Sequence, residues 1–184
     1  MTNPNDLKGF SCGDEDLDDF FANEAYLYAK QLLGKTYFFA SEGKAAEVIG
    51  AFTVSNDSIK ASLISKALRN RIQRKIPNSK RTRSYPAVLI GRMGVSANRK
   101  NCDIGSQMLD YIKYWFANES NKSGCRYVVV DAYNKPSVLS FYEKNDFKFL
   151  YTNEEEERKT FFIDDCSPLK SRMMYFDLIS LYLE

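Results

Sequence analysis

The chain has 184 residues, 44% hydrophobic and 14% aromatic, with a formal net charge of +2; this is enough to bury one sizeable core, and a single domain over residues 1–184 is expected. Histidine is absent, and Cys12, Cys102, Cys125 and Cys166 are scattered without a CxxC pair. These facts exclude a Ser-His-Asp triad, a Cys-His nucleophile pair and the usual zinc ligand sets, so no metal is expected. No apolar run approaches the roughly 20 residues of a membrane span, and residues 1–10 lack the apolar core of a signal peptide, so a cytoplasmic protein without membrane contact is expected.

In chain order, Leu17, Phe21, Ala25, Tyr28 and Leu32 recur at helical spacing, with Asp14 placed as N-cap and Gly34 as stop. Residues 36–41 and 48–54 are short apolar stretches around Glu42-Gly43-Lys44, a hairpin pattern. Ile59, Leu63, Ile64, Leu68 and Ile72 then follow at helical spacing among basic residues, until Pro77-Asn78 breaks the pattern. A polar loop reaches Ser84. Residues 87–95 form an apolar strand, leading to a polar turn that ends in Gly105 and a helix carrying Met108, Leu109, Ile112, Trp115 and Phe116 on one side. Strand, basic turn and helix in that order make an anion cradle, because the first helical turn has unpaired N–H groups and the positive end of the peptide dipoles. Arg99 and Lys100 add charge there, and Cys102 reads as an incidental thiol. Val128, Val129 and Val130 suggest a strand buried on both faces. Residues 136–145 read as a helix with Pro136 in its first turn. Residues 147–151 and 173–181 close the sheet as hairpin partners, and Glu154 to Glu157 between them reads as a solvated turn.

The small net charge conceals an asymmetry. From Ser58 to Cys102 there is no acidic residue but 12 basic ones, which leaves 14 basic against 24 acidic residues, net −10, in the remainder. Within that segment Arg71, Arg74, Lys75, Arg83 and Arg92 are candidates for contacting phosphates. The alternative is a solvated amphipathic helix, or a face for an acidic partner.

Ile90-Gly91-Arg92-Met93-Gly94-Val95 followed by Lys100-Asn101-Cys102-Asp103-Ile104-Gly105 resembles the acetyl-CoA motif of the GNAT superfamily of N-acetyltransferases. Lys100 stands for the motif's Arg or Gln, Gly105 fits its last place, and Asp103 occupies a glycine place. Downstream, Asn134-x-x-Ser137-x-x-x-Phe141-Tyr142-Glu143-Lys144-x-Asp146-Phe147 resembles the family's second segment, with Asp146 again at a glycine place. Phe10-Ser11-Cys12-Gly13 leading into Leu17-Asp18-Asp19-Phe20 is similar to the opening of one branch. Arg74-Lys75-Ile76-Pro77 and Tyr85 to Arg92 are similar to the same branch, the toxins of toxin–antitoxin pairs that acetylate aminoacyl-tRNA.

The resemblance implies an α/β fold: a mixed, mostly antiparallel sheet with splayed parallel strands 4 and 5, flanked by helices. It implies acetyl-CoA as cofactor, with pantetheine along Met93, Gly94 and Val95. The pyrophosphate would rest on the turn made by Arg99, Lys100, Asn101, Cys102, Asp103, Ile104, Gly105 and Ser106. Tyr142 is implied as general acid for the departing thiolate, a role open to a phenol with an ordinary pKa of about 10; packing of its helix is the alternative. Asn134 is a candidate both for bonding the pantetheine and for capping the helix at Pro136, and the two roles are not exclusive. Asp57 and Asp131 are candidates for relaying the amine proton, although an acidic residue after a strand is more often a cap or a turn. A carboxylate at Asp103 repels a pyrophosphate, and Arg99 and Lys100 offset it. The candidate partners are an amine acceptor, tRNA, a small antitoxin-like protein and a second copy of the chain. Acetylation of a small-molecule or protein amine, and a non-catalytic module binding CoA or nucleic acid, remain as alternatives.

Overall fold

In the computed structural model Asp14 caps the first helix, its side chain accepting from the Leu17 N–H at 3.3 Å. The structure describes residues 7–42, 47–73, 76, 82–100, 102–164 and 167–182. Helix α1 (Glu15–Asp19) runs through a π-helical stretch, Phe20–Glu24, into α2 (Ala25–Lys30). The extra residue of a π stretch turns everything after it by about 100°, and this breaks the single face expected from the spacing. Phe20 and Phe21 are both buried, while Tyr28 is 40% and Leu32 84% exposed. The helix ends at Lys30, four residues before Gly34. Leu32 takes a left-handed φ of 59°, and the Leu33 and Leu32 N–H groups bond Tyr28 O and Ala29 O, a Schellman closure that needs no glycine.

Six strands form one sheet in the order β1-β2-β3-β4-β6-β5, with β3 parallel to β4 and the other pairings antiparallel. They are β1 (Lys35–Ala40), β2 (Val48–Lys60), β3 (Ser84–Val95), β4 (Tyr127–Tyr133), β5 (Lys148–Phe149) and β6 (Ser171–Asp177). The mixed, mostly antiparallel sheet flanked by helices is as expected; its parallel pair, numbered fourth and fifth in the resemblance, is third and fourth here.

The chain gathers into two compact units. The first comprises Met1–Asn56 and Leu89–Phe116. Here β1 and β2 pair as a hairpin, from Lys35 opposite Val54 to Ala40 opposite Val48. Its expected turn, 43–44, lies outside the described residues. Helix α4 (Ile104–Ala117) buries Met108, Leu109 and Ile112 and sets Trp115 edge-on against Tyr37 at 4.8 Å. Burial of three such aliphatic side chains is worth roughly 1.5–3 kcal/mol each. A second cluster packs Leu7, Phe20, Phe21, Ala25 and Ala51 together.

The second unit comprises Asp57–Val88 and Ala117–Glu184. The helical spacing read from Ile59 onward holds only in part: Ile59 is a buried residue of β2, and α3 is Lys66–Gln73, burying Leu68 and Ile72. Asn56, Asp57 and Ser58 are poor strand formers, but β2 is carried past them as neighbour of β3, and the Ala61 N–H bonds Arg83 O at 3.0 Å. Strand β4 is buried on both faces over Val128, Val129 and Val130, as expected, and pairs with β6 from Tyr127–Asp177 to Tyr133–Ser171. Helix α5 (Pro136–Lys144) starts with Pro136 in its first turn.

The solvated turn expected at Glu154 to Glu157 is instead the start of a helix, α6 (Glu154–Phe161). Asn153 caps it, accepting from the Glu156 N–H at 2.9 Å. Glu157 is buried, where it accepts from Arg172 Nε at 2.6 Å and from the Met173 N–H at 2.7 Å. An Asn cap followed by four acids, then Arg158 and Lys159, is a helix signal through capping and the peptide dipoles.

Candidate active site

In the first unit, β3 delivers Met93, Gly94 and Val95 directly into the turn. The Ser96 N–H bonds Ile49 O at 2.9 Å, and Ala97–Arg99 forms one 3₁₀ turn. Arg99 reaches Glu47 only at 4.0 Å with both side chains exposed, a contact of little worth. Lys100, Cys102 and Asp103 are exposed, while Ile104, Gly105 and Ser106 are half-buried in the first turn of α4. Asn101 lies outside the described residues.

Asp103 has φ 57°, the left-handed conformation that glycine adopts freely and that Asp and Asn adopt more readily than other side chains. Its carbonyl accepts from the Gln107 N–H at 3.1 Å, the first bond of α4. The glycine-like backbone course is therefore kept at the head of the helix, with a carboxylate added.

In the second unit, Tyr142 sits in α5 and is 9% exposed, with the rings of Phe141 and Phe147 at 5.2 and 5.4 Å. Burial pushes its phenol up to about 12. The helix ends in a Schellman closure: the Phe147 N–H bonds Tyr142 O, the Asp146 N–H bonds Glu143 O, and Asp146 takes φ 65°. Tyr142 is thus fixed by its packing, so the packing reading holds whatever else the hydroxyl does.

Asn134 does not cap α5; Lys135 stands at the N-cap without a side-chain bond. The Asn134 amide donates to Glu154 Oε1 at 2.8 Å and Leu169 O at 2.9 Å. Asp57 accepts from its own neighbour, the Ser58 N–H, at 2.6 Å, and Asp131 is exposed on β4.

Among the basic candidates, Arg71 is exposed on α3 with its guanidinium 5.8 Å from the Tyr175 ring, and Arg83 is exposed just before β3. Arg92 is half-buried in the first unit. It stacks 4.9 Å from Phe20, bonds Gly91 O, and has a buried Nε without a hydrogen-bond partner among the described residues. Arg74 and Lys75 lie outside the described residues. The residue missed by sequence reasoning is Asp18, whose carboxylate gathers the Ser11–Gly13 turn; no spacing in the sequence signals that contact.

The sheet order, the parallel β3–β4 pair and the strand–turn–helix unit with a left-handed residue before α4 are consistent with the GNAT fold. No family model matches the sequence, and no curated protein matches it. Solved structures do match. A tyrosine-to-phenylalanine mutant of KacT is 18% identical, with 100% of this chain and 95% of that chain covered at a TM-score of 0.72. AtaT complexed with acetyl-methionyl-tRNAfMet is 17% identical, with 97% and 91% covered at 0.72. AtaTR bound with AcCoA is 20% identical, with 97% and 90% covered at 0.68. At these identities the likeness shows the fold. No helix of the described residues is long and apolar enough to cross a membrane.

Proposed function

We propose that the chain is an acetyl-CoA-dependent N-acetyltransferase, one catalytic domain over residues 1–184, acting in the cytoplasm on the amino group of an aminoacyl-tRNA. The observation that carries the reading is the left-handed Asp103 at the head of α4, which keeps the backbone of a phosphate-binding turn where its glycine has been lost. The similar structures support the choice of ligands, since AtaT was solved with acetyl-methionyl-tRNAfMet and AtaTR with AcCoA. An antitoxin-like partner is proposed because AtaT was also solved bound to the C-terminus of AtaR.

When bound, acetyl-CoA supplies an acetyl thioester. Met93, Gly94 and Val95 would hold its pantetheine through main-chain groups, and the turn from Arg99 to Ser106 would take the pyrophosphate, with Arg99 and Lys100 offsetting the Asp103 charge. Acyl transfer to an amine requires the amine to lose one proton and the departing thiolate to gain one. Tyr142 holds the second proton at its Oη, where any phenol is protonated at neutral pH; burial, which raises its pKa to about 12, makes that proton harder to release. Arg71, Arg83 and Arg92 are proposed to meet acceptor phosphates, together with Arg74 and Lys75.

Calorimetric titration with acetyl-CoA tests the first step, and slowed alkylation of exposed Cys102 in its presence locates the ligand at the turn. Micromolar binding with Cys102 protection is expected; no binding up to millimolar favours the non-catalytic module, which the Asp103 carboxylate supports. Tyr142→Phe is expected to lower kcat on charged tRNA by roughly 10²–10⁴ with unchanged acetyl-CoA affinity. Unchanged turnover removes Tyr142 as the acid. Charge reversal at Arg71 and Arg83 without loss of tRNA affinity removes the RNA acceptor.

A further inference from the structure

The turn Ser11–Gly13 is held by a single carboxylate. Asp18 accepts from Ser11 Oγ at 2.6 Å, from the Cys12 N–H at 2.7 Å and from the Gly13 N–H at 3.3 Å. Partial burial opposes ionisation of Asp18, but these donors outweigh it and hold its carboxyl below the usual range. On its other side the same turn meets the proposed cofactor segment at three successive places. Ser11 O accepts from the Ala97 N–H at 2.9 Å, where the 3₁₀ turn begins. Cys12 packs onto Gly94 so closely that a Cβ at 94 would lie 2.9 Å from Cys12 Cβ. Gly13, at φ 77°, lies under Lys100, where a Cβ at 13 would be 3.4 Å from Lys100 Nζ.

We propose that Asp18 is a positioning residue: it clamps the Ser11–Gly13 turn, and that turn sets the course of β3 and the cofactor turn from Gly94 to Lys100. Asp18 meets neither cofactor nor acceptor; it acts through Cys12, Gly13 and Ser11. The inference rests on the reading of Met93 to Ser106 as the acetyl-CoA segment. A carboxylate suits the task because three convergent donors need several acceptor lone pairs, and bonds to an ionised acceptor are roughly twice as strong as neutral ones. Asparagine keeps the shape but offers one acceptor oxygen and turns a donor toward the turn.

The test uses the full chain as wild type, Asp18→Asn and the milder Ser11→Ala, which removes one bond and leaves the main-chain donors in place. Two quantities are read: exchange of the Ala97 amide, with the buried Val129 amide as control for global opening, and KM against kcat for acetyl-CoA. Asp18→Asn is expected to speed Ala97 exchange and raise KM for acetyl-CoA, each roughly tenfold, with kcat within about twofold and Val129 exchange unchanged; Ser11→Ala should move both in the same direction by less. Ala97 exchange unchanged in both variants overturns the clamp. Wild type that binds acetyl-CoA with Asp18→Asn at the same KM, or a loss confined to kcat, overturns the positioning role. Wild type that binds no acetyl-CoA overturns the proposed function instead, with Ala97 exchange still deciding the clamp.

Discussion

Replacing Glu157 by alanine leaves Arg172 charged in a site where its side chain is only 10% exposed and the lost partner was 4% exposed. What remains around the guanidinium is the Tyr151 carbonyl at 3.5 Å and the Phe149 ring at 4.8 Å. The Met173 N–H loses its 2.7 Å acceptor as well. Breaking a buried pair from one side costs about 3–5 kcal/mol. At roughly 2–4 °C per kcal/mol for a chain of this size, the melting temperature should fall by on the order of 10 °C. The intact pair is a different matter: burial raises the Glu157 carboxyl above its ordinary value despite Arg172 and the Met173 N–H. A raised folded-state value means a contribution present below the ordinary carboxyl pKa and lost as pH rises through the raised one, so at neutral pH the ionised pair brings little net stability. The double variant Glu157→Leu/Arg172→Met should therefore recover most of the loss. Thermal and urea unfolding of both singles and the double would measure the coupling. A single variant within about 1 kcal/mol of wild type, or a double whose cost is the sum of the singles, refutes the reasoning.

Asp103→Gly removes a side chain from a left-handed position and a negative charge from a helix N-terminus. It should change stability by no more than about 1 kcal/mol, because relief of strain is opposed by the freer unfolded chain, and should tighten acetyl-CoA binding several-fold by calorimetry; weaker binding refutes the repulsion. Burial raises the phenols of Tyr37, Tyr127, Tyr142, Tyr151 and Tyr175 above the ordinary value of 10. Their contribution is complete below pH 10 and lost as pH rises beyond it. Phenolate absorbance should accordingly rise together with unfolding above pH 10, and titration of these tyrosines while circular dichroism stays native would contradict their burial.

Where one residue's neighbours along the chain decide its state, the sequence was readable. Asp14 caps, Pro136 opens α5, and the valines of β4 are buried on both faces, each as expected from local pattern. Distant partners were decisive where it was not. The polar Asn56-Asp57-Ser58 stays extended through its pairing in the sheet, and Glu157 is buried instead of solvated because it has Arg172 to meet, 15 residues on. A π stretch leaves no mark in hydrophobic spacing, so the phase change after Phe20 was invisible. The candidate site was legible as motifs, whereas the Asp18 clamp depends on an oxygen position, 2.6 Å from Ser11 Oγ, that no spacing rule reveals.

The two aspartates at glycine places separate two properties that a sequence motif merges. Glycine offers a left-handed backbone at low cost and also offers the absence of a side chain. Asp146, at φ 65°, closes α5 by hydrogen bonds from its own and the next N–H, and only the backbone conformation matters there. Loss of glycine at 146 should therefore cost about 1 kcal/mol of strain and leave the position of Tyr142 intact. At Asp103 the conformation is kept equally well, φ 57°, but the carboxylate stands at the N-terminus of a 14-residue helix, shortly after Arg99 and Lys100 in the chain. Those cations are exposed, so their offset is screened by salt, while a pyrophosphate seated on the helix N–H groups draws on bonds that salt weakens less. Under the proposed function, then, the motif departure at 146 leaves the chemistry untouched, and the departure at 103 would make acetyl-CoA affinity depend on Arg99 and Lys100 more than in a turn with glycine there.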